Sequence, residues 1–404
     1  MKILMISNML FPLGGVETYM ISVGNQLTKL GHCVEYFGMY DKRNIVGNSF
    51  NIYKKNMDFR KKNLKMLKYP IDLIYSFESK RKIKKLVKLF KPDIVHLNTI
   101  NYNITPSIIS VFNKYKIPIV KTIHDAQIAC PNHRLFIEHR MEPCTRCVTG
   151  KYINCVKNKC VWNSRTKSIL AATESYFYRY KKTYHKIDKY ILPSKFMMEI
   201  HSKNGIPKDK MEYLINFSRL DRNTNLNNEK EDYILYFGRI SPEKGIRTLL
   251  RVIKKLPHIH FKFVGTGPII KELDGIPNLE YLGFKTGEEL NGIISKALFS
   301  IYPSEWYENS PLSVLESQAL GTPVLASNIG GIPELISDST GILFTSGDVN
   351  DLEEKVLLLY HNKTALENMT QACINNSFVL NERQYTEKLI EVYNNTILER
   401  GLSK

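Results

Sequence analysis

Short apolar runs, typical of buried strands, alternate along this chain with segments whose apolar residues recur every three or four positions, as in amphipathic helices. Residues 2–6 form the first run, and a helical pattern of apolar residues follows from Gly15. The alternation returns after residue 233, where residues 233–237 and 261–264 each lead into a glycine-containing turn. Strands that alternate with helices predict parallel sheets covered by helices on both faces, so the predicted fold class is α/β.

A chain of 404 residues is long for one hydrophobic core, so two doubly wound, Rossmann-like domains are expected. The polar, asparagine-rich residues 218–232 lie between two strand patterns and mark the boundary. We predict an N-terminal domain over residues 1–215, with a cysteine-bearing insertion at 130–160, and a C-terminal domain over residues 216–385. Residues 386–404 are a candidate helix that packs back on the N-terminal domain.

Two glutamates, Glu308 and Glu316, flank a predicted helix start at Ser310-Pro311. Serine is a good N-cap, and proline suits the first helical position, where its missing N–H costs nothing. The free N–H groups at a helix start attract phosphate. The spacing therefore suggests that the carboxylates hold the two ends of a nucleotide diphosphate-sugar, the sugar at Glu308 and the ribose at Glu316. Two solvated glutamates on a helix surface are the plainer alternative.

Upstream, the strand at residues 233–237 ends in Gly238-Arg239, and Lys244-Gly245 precedes the next helix. Anions commonly bind at such strand-to-helix turns, and an arginine fork with a lysine point charge suits a pyrophosphate. A similar strand precedes Gly265-Thr266-Gly267, which lacks the third glycine of a dinucleotide-binding fingerprint.

These motifs, in this order and continuing to Gly330-Gly331, resemble the nucleotide-sugar domain of retaining GT-B glycosyltransferases of family 4. The resemblance covers residues 236–344 and implies two sheet domains that face a cleft. It implies that Arg239 and Lys244 hold the diphosphate, Glu316 the ribose and Glu308 the transferred sugar. The base would meet the backbone near Gly283 and Phe284. The implied donor-binding set in this half is Gly238, Gly265, Gly283, Phe284, Asn309, Ser310, Pro311, Leu312 and Glu316.

The chain departs from many members of this family at Asn309-Ser310-Pro311, where they have a Gly-Phe-Gly run, and this leaves the identity of the sugar open. In the N-terminal half, the resemblance implies that the loop with Gly14 and Gly15 contacts donor or acceptor. It also implies that His124 contacts the transferred sugar. His96 follows a strand pattern and is a candidate for the acceptor site; a structural role is the alternative for either histidine.

The reaction implied by the resemblance transfers a sugar from a nucleotide diphosphate to an acceptor hydroxyl with retention of configuration. Arg239, Lys244 and helix amides would stabilise the departing diphosphate, without a divalent metal or other catalytic cofactor. The acceptor would be a saccharide or a lipid-linked saccharide, in surface polysaccharide or glycoconjugate synthesis. Two alternatives stay open: a sugar-nucleotide epimerase or phosphorylase of the same fold, and a zinc-containing basic binding protein with an inactive cleft.

The formal net charge of +18 suggests a partner with negative charge. Basic residues alternate with apolar ones in the first domain, which is typical of helices that bind an anionic membrane surface. They are Lys54, Lys55, Arg60, Lys61, Lys62, Lys65, Lys68, Lys80, Arg81, Lys82, Lys84, Lys85 and Lys88. A solvated lysine-rich face is the alternative, and no nucleic-acid-binding module accompanies the charge. No export signal is recognised at the N-terminus. The predicted location is therefore the cytoplasm, with peripheral attachment to the inner face of the membrane.

Five of the seven cysteines fall within residues 130–160. Cys144 and Cys147 have the two-residue gap of a zinc knuckle, and a reducing compartment disfavours disulfides. The pattern predicts a structural zinc held by Cys130, Cys144, Cys147 and Cys160, with Cys155 or His133 as substitutes. Free, partly buried thiols are the alternative.

Overall fold

Two parallel β-sheets organise the chain, one in each of two units. The structure, a computed structural model, describes residues 1–56, 69–218, 229–375 and 380–401. The N-terminal unit comprises Met1–His139, Cys144–Leu214 and Glu382–Lys404, and the C-terminal unit comprises Arg140–Pro143 and Ile215–Asn381. Five of the basic residues singled out above, Arg60, Lys61, Lys62, Lys65 and Lys68, lie outside the described residues.

The N-terminal unit is built on six parallel strands with the spatial order β2-β1-β3-β4-β7-β8. Their bounds are β1 Lys2–Ile6, β2 Cys33–Phe37, β3 Ile94–Leu97, β4 Ile119–Thr122, β7 Lys189–Leu192 and β8 Met211–Tyr213, and two short strands precede β7, β5 Phe136–Ile137 and β6 Glu142–Pro143. The helices of this unit are α1 Gly15–Lys29, α2 Tyr69–Ile74, α3 Phe77–Phe90, α4 Ile109–Lys114, α5 Ile153–Lys157, α6 Arg165–Tyr180 and α7 Lys195–Lys203. β1, β3 and β4 lie side by side and are buried on both faces, as expected of central strands in a parallel sheet.

The C-terminal unit repeats this plan with the strand order β11-β10-β9-β12-β13-β14, again all parallel. The strands are β9 Glu231–Phe237, β10 Phe261–Val264, β11 Leu279–Tyr281, β12 Ala297–Tyr302, β13 Val324–Ser327 and β14 Gly341–Phe344. The helices are α8 Ile246–Lys255, α9 Gly287–Lys296, α10 Leu312–Ala319, α11 Val349–His361 and α12 Lys363–Asn375. The two parallel sheets confirm the predicted pair of doubly wound domains.

Helix α8 packs on the C-terminal sheet through the apolar face that its sequence predicts. Its buried residues include Ile246, Leu249 and Ile253, which recur at helical spacing and join the core formed with β9, β10 and β12. The intervening positions are basic, among them Arg247 and Lys254. The helix is therefore oriented by its apolar face, and the turn that precedes it, with Lys244, is held at the carboxyl end of β9.

The last helix, α13 Glu382–Glu399, belongs to the N-terminal unit. Tyr385 bonds the hydroxyl of Tyr19 on α1 at 2.7 Å, and Tyr393 bonds Nδ1 of His96 on β3 at 2.5 Å. Arg400, just beyond the helix, donates to Asp188 at 2.7 Å. The tyrosine and histidine contacts are between buried side chains, so α13 is an integral layer of this unit. In the described part of the chain, no helix combines the length and the apolar composition that a bilayer span requires.

Candidate active site

A buried ion pair joins the two motifs of the C-terminal unit. Nζ of Lys244 lies 2.5 Å from Oε1 of Glu308, and their side chains are 15% and 9% exposed. Lys244 ends the 3₁₀ turn Pro242–Lys244 after β9, and Glu308 lies in the loop between β12 and α10. The two neighbouring strands bring together residues that are 64 positions apart in the chain. The pair thus occupies the carboxyl edge of the sheet, where ligands bind in open α/β folds.

Glu308 is held by more than its lysine. Its Oε1 also accepts hydrogen bonds from Ser304 Oγ at 2.6 Å and Trp306 Nε1 at 2.5 Å. Its backbone carbonyl accepts from Gly331 N at 2.8 Å. Because side chain and backbone are both bonded, the carboxylate has a defined position and is not a solvated surface group.

Lys244 keeps its charge despite its burial. Desolvation alone would lower the pKa of a buried lysine, but the nearby Glu308 carboxylate favours the ammonium form, and the net pKa of Lys244 is raised. Its ammonium group also contacts Tyr302 OH at 3.1 Å and lies over the rings of Tyr302 and Trp306, at 5.3 and 5.5 Å. The site therefore contains a lysine that stays charged and packs against two aromatic rings.

Arg239 is the second cation at this edge, and it differs from Lys244 in its surroundings. Its side chain is 58% exposed, and its Nη1 lies 3.8 Å from Oε1 of the buried Glu243. An exposed guanidinium with one loose partner can turn toward a ligand phosphate with little loss of internal bonding.

The backbones of three glycines lie close together just after the ends of β9, β10 and β11. Gly265 N donates to Gly283 O at 2.8 Å, and a Cβ on Gly265 would lie 1.9 Å from the carbonyl oxygen of Gly238. The φ of Gly265 is +140°, which other residues rarely adopt. Phe284 follows Gly283 with 67% of its surface exposed. The structure thus brings Gly238, Gly265, Gly283 and Phe284 to one edge of the sheet.

Helix α10 begins one residue later than the sequence pattern predicts. Its N-cap is Pro311, with extended φ and ψ of −67° and 124°, and Leu312 is its first residue. The prediction that Ser310 caps this helix is wrong, because the proline ring can hold the extended backbone of the N-cap itself. Ser310 Oγ is buried and has no hydrogen-bond partner within the described residues. A free hydroxyl beside free helix N–H groups is an arrangement that could receive an anion.

The remaining donor-side residues surround this helix start. Asn309 precedes Ser310 in the loop, and Glu316 lies half-buried on α10, one turn beyond Leu312. Ser241 Oγ, next to the turn that carries Lys244, is a second buried hydroxyl without a partner in the described chain. The sequence reasoning missed Ser241, Ser304 and Trp306. A usable signal existed for Trp306, which is one of two tryptophans in the chain and lies two residues before Glu308.

In the N-terminal unit, Gly14 is the N-cap of α1 and Gly15 its first residue, and both are exposed. His124 follows β4, and its Nε2 lies 2.9 Å from Oδ1 of Asn98, which follows the adjacent β3. Burial, with the charge of Lys121 as a further cause, lowers the pKa of His124 well below its usual value. His124 is therefore neutral near pH 7, with its proton on Nε2 toward Asn98.

His96 lies in the interior and does not line a surface. It is fully buried, and its two ring nitrogens bond Tyr393 and Thr122 at 2.5 and 2.7 Å. Burial lowers the pKa of His96 to about 3, so it is neutral. The acceptor role expected from its position at the end of β3 is corrected here. The alternation of side chains along β3 directs His96 toward α13, and it holds that helix in place.

The five clustered cysteines meet around one small cavity. Cys130, Cys144, Cys147, Cys155 and Cys160 all line it, with Phe136 and Ile137. Burial raises the pKa of Cys130 and of Cys147 to about 12, so these thiols are neutral in the structure as it stands. Within the described ranges, no three His, Cys, Asp or Glu side chains are arranged as ligands of a metal ion. The predicted zinc therefore gains no support from the geometry, although its five candidate thiols do come together.

Comparison with known families assigns the chain to a class. Residues 13–222 match the family model described as Glycosyltransferase Family 4, and residues 217–377 match Glycosyl transferases group 1. The first match alone covers more than half of the chain. The protein belongs to Glycosyltransferase Family 4, as the sequence motifs suggested.

Individual relatives match over unequal lengths. Sulfoquinovosyl transferase SQD2 of Arabidopsis thaliana is 35% identical over 142 residues, which are 33% of this chain and 28% of that protein. The glycosyltransferase MJ1178 of Methanocaldococcus jannaschii is 28% identical over 196 residues, 46% of this chain and 53% of that protein. A 42.6 kDa protein in the cps region of Klebsiella pneumoniae is 23% identical over 376 residues, 87% of this chain and 92% of that protein. The chain thus spans about half or less of the first two relatives.

Solved structures share the fold over nearly the whole chain. Sucrose-phosphate synthase from Thermosynechococcus elongatus has a TM-score of 0.68 at 17% identity and covers 98% of this chain and 99% of its own. Anabaena HepE, in complex with UDP and glucose, has a TM-score of 0.66 at 16% identity and covers 98% of this chain and 100% of its own. This likeness confirms the GT-B fold.

Proposed function

We propose that this protein is a retaining glycosyltransferase that moves a sugar from a nucleotide diphosphate-sugar to an acceptor hydroxyl. The observation that carries the proposal is the buried Lys244–Glu308 pair at the carboxyl edge of the C-terminal sheet. Taking two charges out of water to form such a buried pair costs free energy. Charged groups in such surroundings are concentrated at functional sites, where a ligand interacts with them. HepE, which has the same fold, binds UDP and glucose in its solved structure. The match along most of the chain to a protein of a cps region supports surface polysaccharide as the product class.

Within the donor site, we assign the diphosphate to Lys244, Arg239 and the free N–H groups at the start of α10. Lys244 contributes a fixed charge, and Arg239 is free to turn onto the phosphates. Ser310 Oγ, buried and unpaired among the described residues, is an additional donor for the same anion. Glu316 is assigned to the ribose and the backbone at Gly283 and Phe284 to the base, as the family resemblance implies.

Glu308 is assigned to the transferred sugar as an acceptor of hydrogen bonds, not as a covalent nucleophile. Lys244, Ser304 and Trp306 all bond its Oε1, so Oε2 is the atom proposed to accept a sugar hydroxyl. Three donors on a carboxylate stabilise its charge and make it a poor nucleophile. The proposed reaction is attack from the face of the leaving group. The acceptor oxygen bonds the anomeric carbon as the phosphate oxygen leaves with the bonding electrons and takes the acceptor's proton.

In this mechanism the cations and helix amides stabilise the charge that develops on the departing diphosphate. Lys244 and the helix amides are positioned before the reaction, and Arg239 turns onto the phosphates, so no divalent metal is required in the proposed scheme. The proposed role of Gly14 and Gly15 is contact with donor or acceptor, and that of His124 is contact with the transferred sugar. Both roles rest on the family resemblance. The neutral state of His124 suits a group that hydrogen-bonds a sugar hydroxyl.

A panel of nucleotide-sugars tests the proposal directly. Thermal shift with UDP-, GDP- and ADP-linked hexoses should raise the melting temperature for one nucleotide series, because a ligand that binds the folded state stabilises it. NMR of the product formed with that donor and a mixture of sugar acceptors should show the anomeric configuration of the donor. Inversion of the sugar-nucleotide, or phosphorolysis without an acceptor, would instead identify an epimerase or a phosphorylase. The absence of any shift would contradict the proposal.

We also propose that the N-terminal unit contacts an anionic membrane through α3. Arg81, Lys84, Lys85 and Lys88 are exposed along this helix, and Phe77 and Leu89 are 65% and 48% exposed. The basic face is narrower than the sequence suggested, because Lys54 is buried and both Lys54 and Lys82 bond Glu78, at 2.6 and 2.8 Å. Sedimentation with phosphatidylglycerol vesicles should exceed that with phosphatidylcholine and fall as salt rises. Equal binding to both lipids would contradict membrane contact of this kind and the peripheral location inferred from it.

A structural zinc in the cysteine cluster is proposed on the sequence pattern; the five candidate thiols line one cavity but are not arranged as ligands of an ion. Binding would require the sulfurs to turn toward one centre and lose their protons, which the ion itself drives. Metal analysis of protein purified under reducing conditions should give about one zinc per chain. Cys147→Ser should lose it, and Cys33→Ser, which changes an exposed cysteine outside the cluster, should retain it. Wild-type protein without metal would favour free thiols.

A further inference from the structure

Three buried polar atoms at one edge of the N-terminal sheet have no hydrogen-bond partner among the described residues. They are Ser7 Oγ, Asn8 Oδ1 and Asn98 Nδ2. Ser7 and Asn8 directly follow β1, Asn98 directly follows β3, and these two strands are neighbours in the sheet. A buried polar group without a partner is destabilising, so such a cluster requires an explanation. The carboxyl edge of a parallel sheet is the place where a ligand would provide the missing partners.

The loops beside these atoms contain strained backbone. Tyr102, in the loop after β3, has a φ of +54°, and His133, in the loop after β4, has a φ of +66°. Bulky residues rarely adopt left-handed conformations, and such strain is concentrated at binding sites. The two rings stack on each other, with centroids 5.1 Å apart and planes 28° apart. Tyr102 remains 44% exposed, so the stack offers an aromatic surface to solvent.

Asn101 joins the aromatic surface to the buried polar atoms. Its Nδ2 donates to Nδ1 of His133 at 3.2 Å, and its backbone carbonyl accepts from Asn8 Nδ2 at 2.9 Å. Because Nδ1 of His133 accepts, the ring proton lies on Nε2, which is a further donor. Asn98, at the end of the neighbouring strand β3, bonds His124 through its Oδ1. Asn8, Asn101, His133 and Tyr102 are thus linked by direct contacts, and Asn98 lies at the same edge of the sheet.

Two described cations near this cluster, Lys121 and Arg134, already have partners. Lys121 is fully buried, its Nζ donates to the carbonyl of Asn98 at 2.7 Å, and burial lowers its pKa to about 8. Arg134 pairs with Glu138 at 3.3 Å, and Asp125 accepts from the backbone N–H of Gln127 at 2.9 Å. The donors and acceptors of the cluster that have no partner among the described residues are, in contrast, all neutral: Ser7 Oγ, Asn8 Oδ1 and Asn98 Nδ2. A neutral ligand with many hydroxyl groups fits better.

A sugar ring has this chemistry. Its hydroxyls both donate and accept, as amide side chains do, and the C–H groups of one face are apolar and pack on an aromatic ring. We propose that Asn8, Asn98, Asn101, Tyr102 and His133 form a subsite for a neutral sugar residue of the acceptor. This inference rests on the proposed function and adds that the acceptor sugar bound here is uncharged and which residues bind it. It also moves acceptor recognition from the buried His96 to the loops after β1, β3 and β4.

The test measures acceptor binding apart from donor binding. Wild-type protein, alone and with an excess of the nucleoside diphosphate identified by the nucleotide-sugar panel, is titrated by calorimetry with p-nitrophenyl α- and β-hexosides, and with glycerol 3-phosphate as the anionic comparison. Tyr102→Ala should weaken the binding of the preferred hexoside about 10-fold or more, because it removes the aromatic face. Tyr102→Phe should retain affinity within about 3-fold, because it keeps the ring. Tyr180→Ala, which alters a tyrosine that is 83% exposed at the end of α6, is the matched control and should change nothing.

The cooperative thermal unfolding of each variant, measured without ligand, shows whether the chain has folded. Hexoside binding that is unchanged in Tyr102→Ala would overturn the inference, as would binding of glycerol 3-phosphate in place of every hexoside, or no hexoside binding at all. The proposed function fails separately, if no nucleotide-sugar binds the wild-type protein. If hexoside binding depends on Tyr102 but the protein binds no nucleotide-sugar, the sugar subsite is supported and the proposed transferase activity is contradicted.

Discussion

Lys244→Ala should reduce sugar transfer about 10²- to 10³-fold, the size of effect seen when one preorganised stabiliser of developing charge is removed. Lys244 is the buried cation of the proposed donor site, and Glu308, Tyr302 and the Trp306 ring hold it in place. A small side chain would leave the diphosphate without this charge. The measurement is kcat/KM with the donor found in the nucleotide-sugar panel, together with the melting temperature of the variant.

The loss of stability in Lys244→Ala must be separated from the loss of catalysis. Removing the lysine leaves Glu308 charged and largely buried, which should lower the free energy of unfolding by about 3 kcal/mol. Ser304 and Trp306 still donate to the carboxylate, so the chain should remain folded. The double variant Lys244→Ala/Glu308→Gln removes the uncompensated charge. It should regain most of the melting temperature and none of the activity.

Arg247→Ala is the matched control for this experiment. Arg247 lies three residues further along and pairs with Glu272 at 2.7 Å, but both side chains are exposed. An exposed pair contributes about 0–1 kcal/mol, and Arg247 has no proposed contact with the donor. Near-wild-type turnover in Lys244→Ala, or an equal loss in Arg247→Ala, would contradict the assignment of Lys244 to the diphosphate.

Gly245→Ala should disrupt the donor site through the backbone. Gly245 has a φ of +71°, and an added Cβ would lie 1.7 Å from the carbonyl oxygen of Pro303. The new Cβ would overlap a backbone atom, which cannot rotate away as a flexible side chain can, so one of the two loops has to move. These loops contain Lys244 and Glu308. We expect destabilisation of about 2–4 kcal/mol from the clash and the strained φ together, and at least about 10-fold weaker nucleotide binding.

Gly275→Ala provides the comparison that isolates the clash. Gly275 has nearly the same φ, +74°, but an added Cβ there meets nothing within 4 Å. This variant should lose about 1 kcal/mol from backbone strain and retain nucleotide affinity. Urea denaturation and titration of the two alanine variants with the nucleotide found in the panel measure both effects. If the two variants had equal stability and equal nucleotide affinity, the close contact between Gly245 and the Pro303 carbonyl would not be required for folding or for nucleotide binding.

Several features of the fold could be predicted because they depend on local pattern. The apolar runs that became β1, β9 and β10, and the apolar face of α8, follow from spacing alone. The turn with Lys244 was visible because glycine and a cation follow a buried strand. The start of α10 was predicted one residue early, since the N-cap preference of Ser310 was weighed without the backbone geometry of Pro311.

The burial and the contacts of individual polar side chains could not be predicted in the same way. His96 and His124 both follow or end a central strand, yet His96 is enclosed under α13 and His124 is half-buried beside Asn98. The difference depends on a helix that comes about 300 residues later in the chain. In the same way, Glu308 meets Lys244 because β9 lies beside β12, and Tyr102 meets His133 only because β3 and β4 are neighbours.

The amino-acid sequence by itself determined that this protein has two parallel α/β sheets, that it belongs to a sugar-transferring family, and which residues carry charge near the strand ends. These properties follow from periodicity and from motifs a few residues long. Only the tertiary structure decided which of those residues meet: Lys244 with Glu308, His96 with Tyr393, and five cysteines around one cavity. Such pairings depend on strand order and on burial, which bring together residues far apart in the chain and leave particular donors and acceptors for a ligand.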